Sequence, residues 1–223
     1  RPPRSTPKPS SAASDVYKRQ SVYILTESRI DECNEYCVSQ HAHRGDDPFV
    51  AAGDPEVLIY NAGYLEGREL PLEKELLEHI PFKIFETAQQ LNSSGPFLVT
   101  KEVLPAMRER GKGSILFSNN PSSLRGRKRY TGQSLYYPRV MLRTLAQVLT
   151  EEYSEYGVHV ANIVIDGTID SPGTRALQSA QERPDLLINP VKIAEAFYYL
   201  HTQDKSCWTH ELQLTPYDAQ PSY

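Results

Sequence analysis

The chain has 223 residues, 39% of them hydrophobic and 23% charged, with a formal net charge of −4 and three cysteines. That length suits one domain with a sizeable core, and no apolar run of about 18 residues offers a membrane span. The acidic balance argues against a general nucleic-acid binder, and three cysteines argue against a disulfide scaffold and for a reducing, cytoplasmic setting.

Residues 1–20 stand apart from the rest. They hold Pro2, Pro3, Pro7 and Pro9, five basic side chains and one acid, Asp15. Four prolines in nine residues preclude a helix or an interior strand. No apolar stretch follows the basic residues, so this is no secretory signal. A disordered basic tail and a transit peptide are two readings. A third is an artefact, because SSAASDVYKRQ resembles translated sequencing-adapter sequence. The segment is expected to carry no chemistry, and the domain is expected over 21–223. Without this segment the remaining 203 residues carry −8. The chain opens on Arg1, and its methionines are Met107 and Met141, so truncation at the N-terminus is expected.

From Ser21 onward the pattern is α/β. Ser21 to Thr26 suits a strand and Ile30 to Ser39 a helix. Cys33 and Cys37 sit four apart on that helix and read as partly buried thiols. His41 and His43 lie nearby in a polar loop, without the spacing of a zinc site. Glu56 to Tyr60 is apolar nearly throughout, as expected of a strand covered on both faces. Leu72, Leu76, Leu77, Ile80, Ile84, Phe85 and Ala88 recur at helical spacing over 72–91, with Pro81 marking a kink or break. A helix is predicted over 96–110, with Pro96 in its first turn and Gly111 and Gly113 at its end. Strands follow at 114–118 and 158–165, on either side of a helix over 139–156 closed by Gly157. A helix over 191–203 and a strand over 211–214 complete the domain. Strands alternating with long helices imply βαβ units and a parallel sheet.

Several short motifs fall on these elements in order. Tyr60-Asn61-Ala62-Gly63 is similar to an N-N-A-G signature, and Asn92-Ser93-Ser94-Gly95-Pro96-Phe97 to N-x-x-G-x-F. Gly113 to Ser118 matches a strand leading to a catalytic Ser. Leu142 to Gln147 matches the helix after a Y-x-x-x-K motif, and Ile165 to Pro172 a P-G-x-I-x-T segment. Five weak motifs in order make a strong fold signal. Over roughly 56–217 the chain resembles the short-chain dehydrogenase/reductase family. The resemblance implies a Rossmann-like, doubly wound parallel sheet flanked by helices. It implies NAD or NADP as cofactor, a small-molecule alcohol or carbonyl substrate, and a homodimer or homotetramer built on the helix at 139–156 and the one before it. Nucleic acid and membrane are not expected partners, and no metal site is expected.

The family's T-G-x-x-x-G-x-G turn, which receives the pyrophosphate at a helix N-terminus, has no counterpart here. Only Gly45 and Gly53 precede residue 56. The first strand and the Gly-rich turn are therefore expected to be missing.

The resemblance also implies roles for single residues. The family Tyr exchanges a proton with the substrate oxygen, a Lys four residues later lowers its pKa, a Ser orients the substrate and an Asn holds a water relay. The Asn position is Asn92. The Ser position falls on Asn120, and a short slip brings Ser122 into place. The Lys position falls on Arg139 and the Tyr position on Leu135, which has no titratable group. Tyr136, three residues before Arg139, is the candidate substitute, although Pro138 favours a helix start there and leaves Tyr136 and Tyr137 in a loop. Asn61, Ala62, Gly63, Arg139, Gly167, Ile169 and Ser171 are the cofactor-binding candidates. Asp166 joins them in place of the family's Pro, bringing a negative charge toward a cofactor phosphate. The replaced Tyr and Lys positions leave a second reading open, that of a catalytically inactive, dinucleotide-sensing or scaffold member. The basic run Arg125 to Arg129 reads as a solvated loop. His159 and His201 show no evident partner, and His210 reads as packing near Trp208.

Overall fold

The computed structural model describes residues 22–25, 55–62, 77–125 and 139–222. Five parallel strands form one sheet in the order β1 (Val22–Leu25), β2 (Val57–Tyr60), β3 (Gly113–Asn119), β4 (Val158–Ile165) and β5 (Glu211–Leu214). β2 pairs with β3 from Val57 opposite Ser114 to Tyr60 opposite Phe117, and β3 with β4 from Gly113 opposite Val158 to Asn119 opposite Val164. β1 lies beside β2, Val22 opposite Val57. All seven residues of β3 are buried, as a strand covered on both faces requires.

The side chains divide by the two-residue period of a strand. Leu58, Tyr60, Ile115, Phe117, Val158 and Val160 face one side. There they meet Val103, Leu104 and Met107 of α2 (Gly95–Arg110) and Leu142, Ala146 and Leu149 of α3 (Arg139–Tyr153). Val57, Ile59, Leu116, Ala161 and Ile163 face the other side. There they meet Ile193, Phe197 and Leu200 of α5 (Pro190–His201). The strand order advances in one direction while α5 crosses on the opposite face from α2 and α3. The β4–α5–β5 unit therefore has the opposite hand to the two before it, a departure from the usual uniform handedness of such crossovers.

Residues 72–76 of the helix expected over 72–91 lie outside the described residues, and the rest does not stand apart. Leu77–His79 make one 3₁₀ turn, Pro81 precedes α1 (Phe82–Gln89), and α1 runs through a π-helical turn, Gln90–Ser94, directly into α2. Pro81 thus starts a helix rather than kinking one, because its missing N–H costs nothing at that end. Gly111 ends α2 at φ 64°, a conformation that glycine adopts without strain. Gly113 is not a stop but the first residue of β3. A Cβ there would strike the Met107 side chain at 2.6 Å. Three short elements carried too little periodicity to be read: the 3₁₀ turns Thr174–Ala176 and Pro184–Leu186 and, between them, α4 (Gln178–Glu182). Among the described residues no helix is long and apolar enough to cross a membrane. Cys33, Cys37, His41 and His43 lie outside the described residues.

Candidate active site at the carboxyl ends of the strands

The carboxyl ends of β2 and β3 share a buried cation. Arg139, the first residue of α3, is 8% exposed. Its Nη1 donates to the Ser118 carbonyl at 3.1 Å and its Nη2 to the Ala62 carbonyl at 3.5 Å. The guanidinium therefore spans the ends of two adjacent strands. A guanidinium keeps its charge at any ordinary pH and presents a rigid fork of donors, so it is a fixed cation rather than a proton carrier.

Beside it lies a polar chain absent from the sequence reading. Asn119 Nδ2 donates to Asn162 Oδ1 at 2.9 Å and to the Arg139 carbonyl at 3.4 Å. Asn162 Nδ2 donates to Glu211 Oε2 at 3.4 Å, and Glu211 takes two hydrogen bonds from Arg143, at 2.6 and 2.7 Å. Those bonds from Glu211 raise the Arg143 pKa above its ordinary value. The signal for this network was an Asn inside the apolar run Val158–Ile165, since a buried amide needs partners.

The π-helical turn is tied to the end of β2. Tyr60 donates its hydroxyl to the Leu91 carbonyl at 2.5 Å, joining the end of β2 to that turn. Gly95 follows it because a Cβ there would meet the Tyr60 hydroxyl at 2.7 Å. Asn92 is 1% exposed, and its amide donates to the Ala88 carbonyl at 2.8 Å. Its Oδ1 is buried with no hydrogen-bond partner among the described residues, as is the hydroxyl of Ser93. Inserted π turns recur at functional sites because they break the helical ladder and free polar groups.

The other candidates are distributed as follows. Asn120 Oδ1 accepts from the Ser122 amide at 3.0 Å and so caps the one-turn helix Pro121–Ser123. That capping fixes the Asn120 side chain close to where β3 ends. Ser122 is partly exposed on the same turn. Asn61 is exposed at the end of β2 and Ala62 is buried beside it. Ile169 pairs with Ile188 through a single parallel bridge, and its side chain packs on the α5 face of the core. The Ser171 hydroxyl lies 2.9 Å from that of Thr174, which also donates to the Ile169 carbonyl at 2.5 Å. Gly167 is exposed beyond β4. Asp166 is closed by partners from the C-terminal part of the chain. Its carboxylate accepts from Gln213 Nε2 at 2.7 Å and from the Ser222 amide and hydroxyl at 2.6 and 2.7 Å. Gly63, Leu135, Tyr136 and Tyr137 lie outside the described residues.

The histidines at the amino ends of the strands require a correction. His159 is not partnerless, because the strand register and the turn before β5 close around it. Its ring stacks on Trp208 at 4.9 Å and 5°. Its Nδ1 lies 3.0 Å from the Leu200 carbonyl and its Nε2 2.9 Å from the Thr209 carbonyl. His201 Nδ1 lies 3.0 Å from the Ser114 hydroxyl, and His210 Nδ1 2.9 Å from the Val160 carbonyl. Burial pushes both His159 and His201 below the ordinary imidazole pKa. Among the described residues no group of His, Cys, Asp and Glu gathers as a metal site.

A groove of about 870 Å³ lies away from the strand ends, between α2 and α3. Phe97, Leu104, Leu145, Val148, Tyr153 and Tyr156 contribute to its walls. Phe97, Met141 and Val148 expose 55%, 51% and 44% of their surface on these helices.

This sheet, with helices on both faces and polar groups gathered at its carboxyl ends, has the architecture of the α/β nucleotide-binding folds. The family model for short chain dehydrogenase matches residues 50–182, and the chain belongs to that family. It is 35% identical over 138 residues to "3-dehydrosphinganine reductase TSC10B" of Arabidopsis thaliana, a match covering 60% of this chain and 38% of the relative. It is 36% identical over 94 residues to a "3-ketodihydrosphingosine reductase" of Dictyostelium discoideum, covering 41% of this chain and 27% of the relative. The chain thus matches well under half the length of either protein. Among solved structures, an alcohol dehydrogenase from the archaeon Thermococcus sibiricus, complexed with 5-hydroxy-NADP, superposes with a TM-score of 0.62 at 20% identity. That superposition covers 96% of this chain and 83% of the other, and it shows the shared fold.

Proposed function

We propose that the protein is an NAD(P)-dependent oxidoreductase acting on an alcohol or carbonyl group, with its site at the carboxyl ends of β2, β3 and β4. The observation that carries this reading is the buried Arg139 guanidinium across the ends of two strands, in a chain whose π turn holds Asn92 Oδ1 and the Ser93 hydroxyl without a hydrogen-bond partner among the described residues. These groups fit part of a nicotinamide dinucleotide. Arg139 can donate to ribose hydroxyls, and Asn92 Oδ1 can accept from a ligand or a held water. Asn61, Ala62, Gly63, Gly167, Ile169 and Ser171 would line the remainder, with Asp166 behind them. The dinucleotide, when bound, supplies or receives the hydride. Among the chain's own residues, Ser122 and Asn120 orient the substrate oxygen, and Tyr136 exchanges its proton. Matches to relatives named as reductases of a keto-sphingoid base make a long-chain ketone one sensible substrate to try.

A second reading, a family member that binds a dinucleotide without turnover, draws on one observation. Arg139 stands where the family has a Lys, and it is committed to backbone carbonyls. Steady-state assays with NADH and NADPH against a panel of aldehydes and ketones, paired with fluorescence titration of both dinucleotides, separate the two. Turnover that Arg139→Met abolishes supports the oxidoreductase. Dinucleotide binding without turnover supports the second reading, and absence of binding contradicts both. For the apolar groove between α2 and α3 we propose a homodimer or homotetramer contact, with light scattering as its test.

A further inference from the structure

Asp166 is a buried carboxylate just beyond the carboxyl end of β4, and its three described side-chain donors come from β5 and from the segment after it. Gln213 of β5 supplies one donor, and Ser222 supplies two, its amide and its hydroxyl. Ser222 is itself 3% exposed. Between these two anchors the segment 215–222 runs across the end of the sheet. A Cβ built on Gly167 would meet Pro216 Cδ at 3.0 Å and Ile188 Cδ1 at 2.9 Å, so Pro216 of this segment lies directly on Gly167. A second set of contacts lies farther out. Arg183 donates to Asp185 at 2.8 and 3.0 Å and to Asp218 at 2.9 Å, and the Tyr217 hydroxyl donates to Asp185 at 3.1 Å. Hydrogen bonds from Arg183 hold the Asp185 carboxyl down to about 2.

The segment 167–188 is held to itself mainly by short-range ties. The Ile169–Ile188 bridge joins its two ends, with the Ile188 amide on the Thr168 carbonyl and the Asp170 amide on the Ile188 carbonyl, each at 2.9 Å. Arg175 donates twice to Asp170, at 2.5 and 2.8 Å, and Ile169 and Ile188 pack on the α5 face of the core. Its helices are single turns or, in α4, five residues. Segments with few apolar contacts and short backbone ladders open first. A buried carboxylate with three donors is a strong local tie, and it becomes costly when its donors leave.

We propose that Asp166 is a positioning residue: through Ser222 it anchors the segment 215–222 as a latch that holds residues 167–188, and with them Ile169 and Ser171, in place at the carboxyl end of the sheet. The functional half of this inference rests on the oxidoreductase reading above, because it treats Ile169 and Ser171 as dinucleotide contacts. The latch itself does not. It also places the Asp166 charge: latched, the carboxylate is spent on three donors, and unlatched it faces any anionic ligand arriving at the strand ends.

Hydrogen exchange read by mass spectrometry on the full chain without ligand tests the latch. Asp166→Asn and Ser222→Ala are each expected to speed exchange at least tenfold across 167–188 and 215–222, with β3 and α3 unchanged. Ser222→Thr keeps the hydroxyl and is expected to retain protection. The double variant is expected to go no further than Asp166→Asn alone, because both changes break one contact. Unchanged exchange in 167–188 overturns the latch, as does a uniform rise that includes β3 and α3. NADPH titration then tests the positioning role. A several-fold weaker dissociation constant in Ser222→Ala, restored in Ser222→Thr, supports it. A loosened segment with an unaltered dissociation constant reduces the latch to a structural tie and overturns positioning. If the unaltered chain binds neither dinucleotide, the oxidoreductase reading falls, and hydrogen exchange still decides the latch.

Discussion

The two ends of the sheet are built on opposite principles. At the amino ends of the strands, polar groups are matched within the chain. His159 stacks on Trp208 with each ring nitrogen against a carbonyl, His201 meets Ser114, and Lys112 pairs with Glu56. At the carboxyl ends, a buried guanidinium lies across two strands, and buried Asn92 Oδ1 and the Ser93 hydroxyl have no partner among the described residues. An unsatisfied buried acceptor costs about 1–3 kcal/mol. Open α/β sheets receive ligands outside the carboxyl ends of their strands, so such a cost is tolerated where a ligand or held water can remove it. One end closes its polar groups within the chain, and the other, beside closed networks of its own, leaves Asn92 Oδ1 and the Ser93 hydroxyl without a partner among the described residues.

Perturbations applied end by end can break that division. His159→Ala should have the largest effect on stability. It removes the Trp208 stack and the one hydrogen bond that a neutral imidazole can donate to the facing carbonyls, about 2 kcal/mol together, read as a shifted midpoint in denaturant. Dinucleotide affinity should not change, and a variant that loses affinity would join the two ends. Arg139→Met should weaken NADPH binding about tenfold to hundredfold, or 1.4–2.8 kcal/mol, read by fluorescence titration. Tyr60→Phe should cost about 1 kcal/mol, because it removes the donor to Leu91 that ties β2 to the π turn. Calorimetry would show whether that loss stays local to the π turn.

Acidity supplies the gentlest test. Burial lowers the His159 and His201 pKa values in the folded chain. The unfolded chain therefore binds more protons below about pH 6.5. Stability is full above that range and is lost as pH falls through it. His159→Gln should flatten the dependence of the denaturation midpoint between pH 7 and pH 5, and an unchanged slope would remove His159 from the account.

The strands and long helices were legible from local pattern. The apolar run at 57–60, the strands at 158–165 and 211–214, and the helix starting near Pro138 followed from periodicity, Gly and Pro. What stayed hidden depended on contacts distant in sequence. The π turn reads as ordinary helix, since its extra residue leaves no mark beyond Asn92 and Gly95. The His159 clasp brings together residues 41 to 50 positions apart. Asp166 could be read as a charge facing a cofactor because its partners, Gln213 and Ser222, come from beyond another helix and strand. The Asn92, Asn120, Ser122 and Arg139 positions came from family resemblance. Periodicity alone marks none of them.

A titration of the isotopically labelled chain with NADPH, followed by amide resonances, tests the central claim most directly. Shifts concentrated at Ala62, Asn92, Ser118, Ser171 and Arg139, with His159, Trp208 and Thr209 unmoved, are the expected result. Shifts gathered around His159 and Trp208, or none at the carboxyl ends of β2, β3 and β4, would contradict the division of labour between the two ends of the sheet.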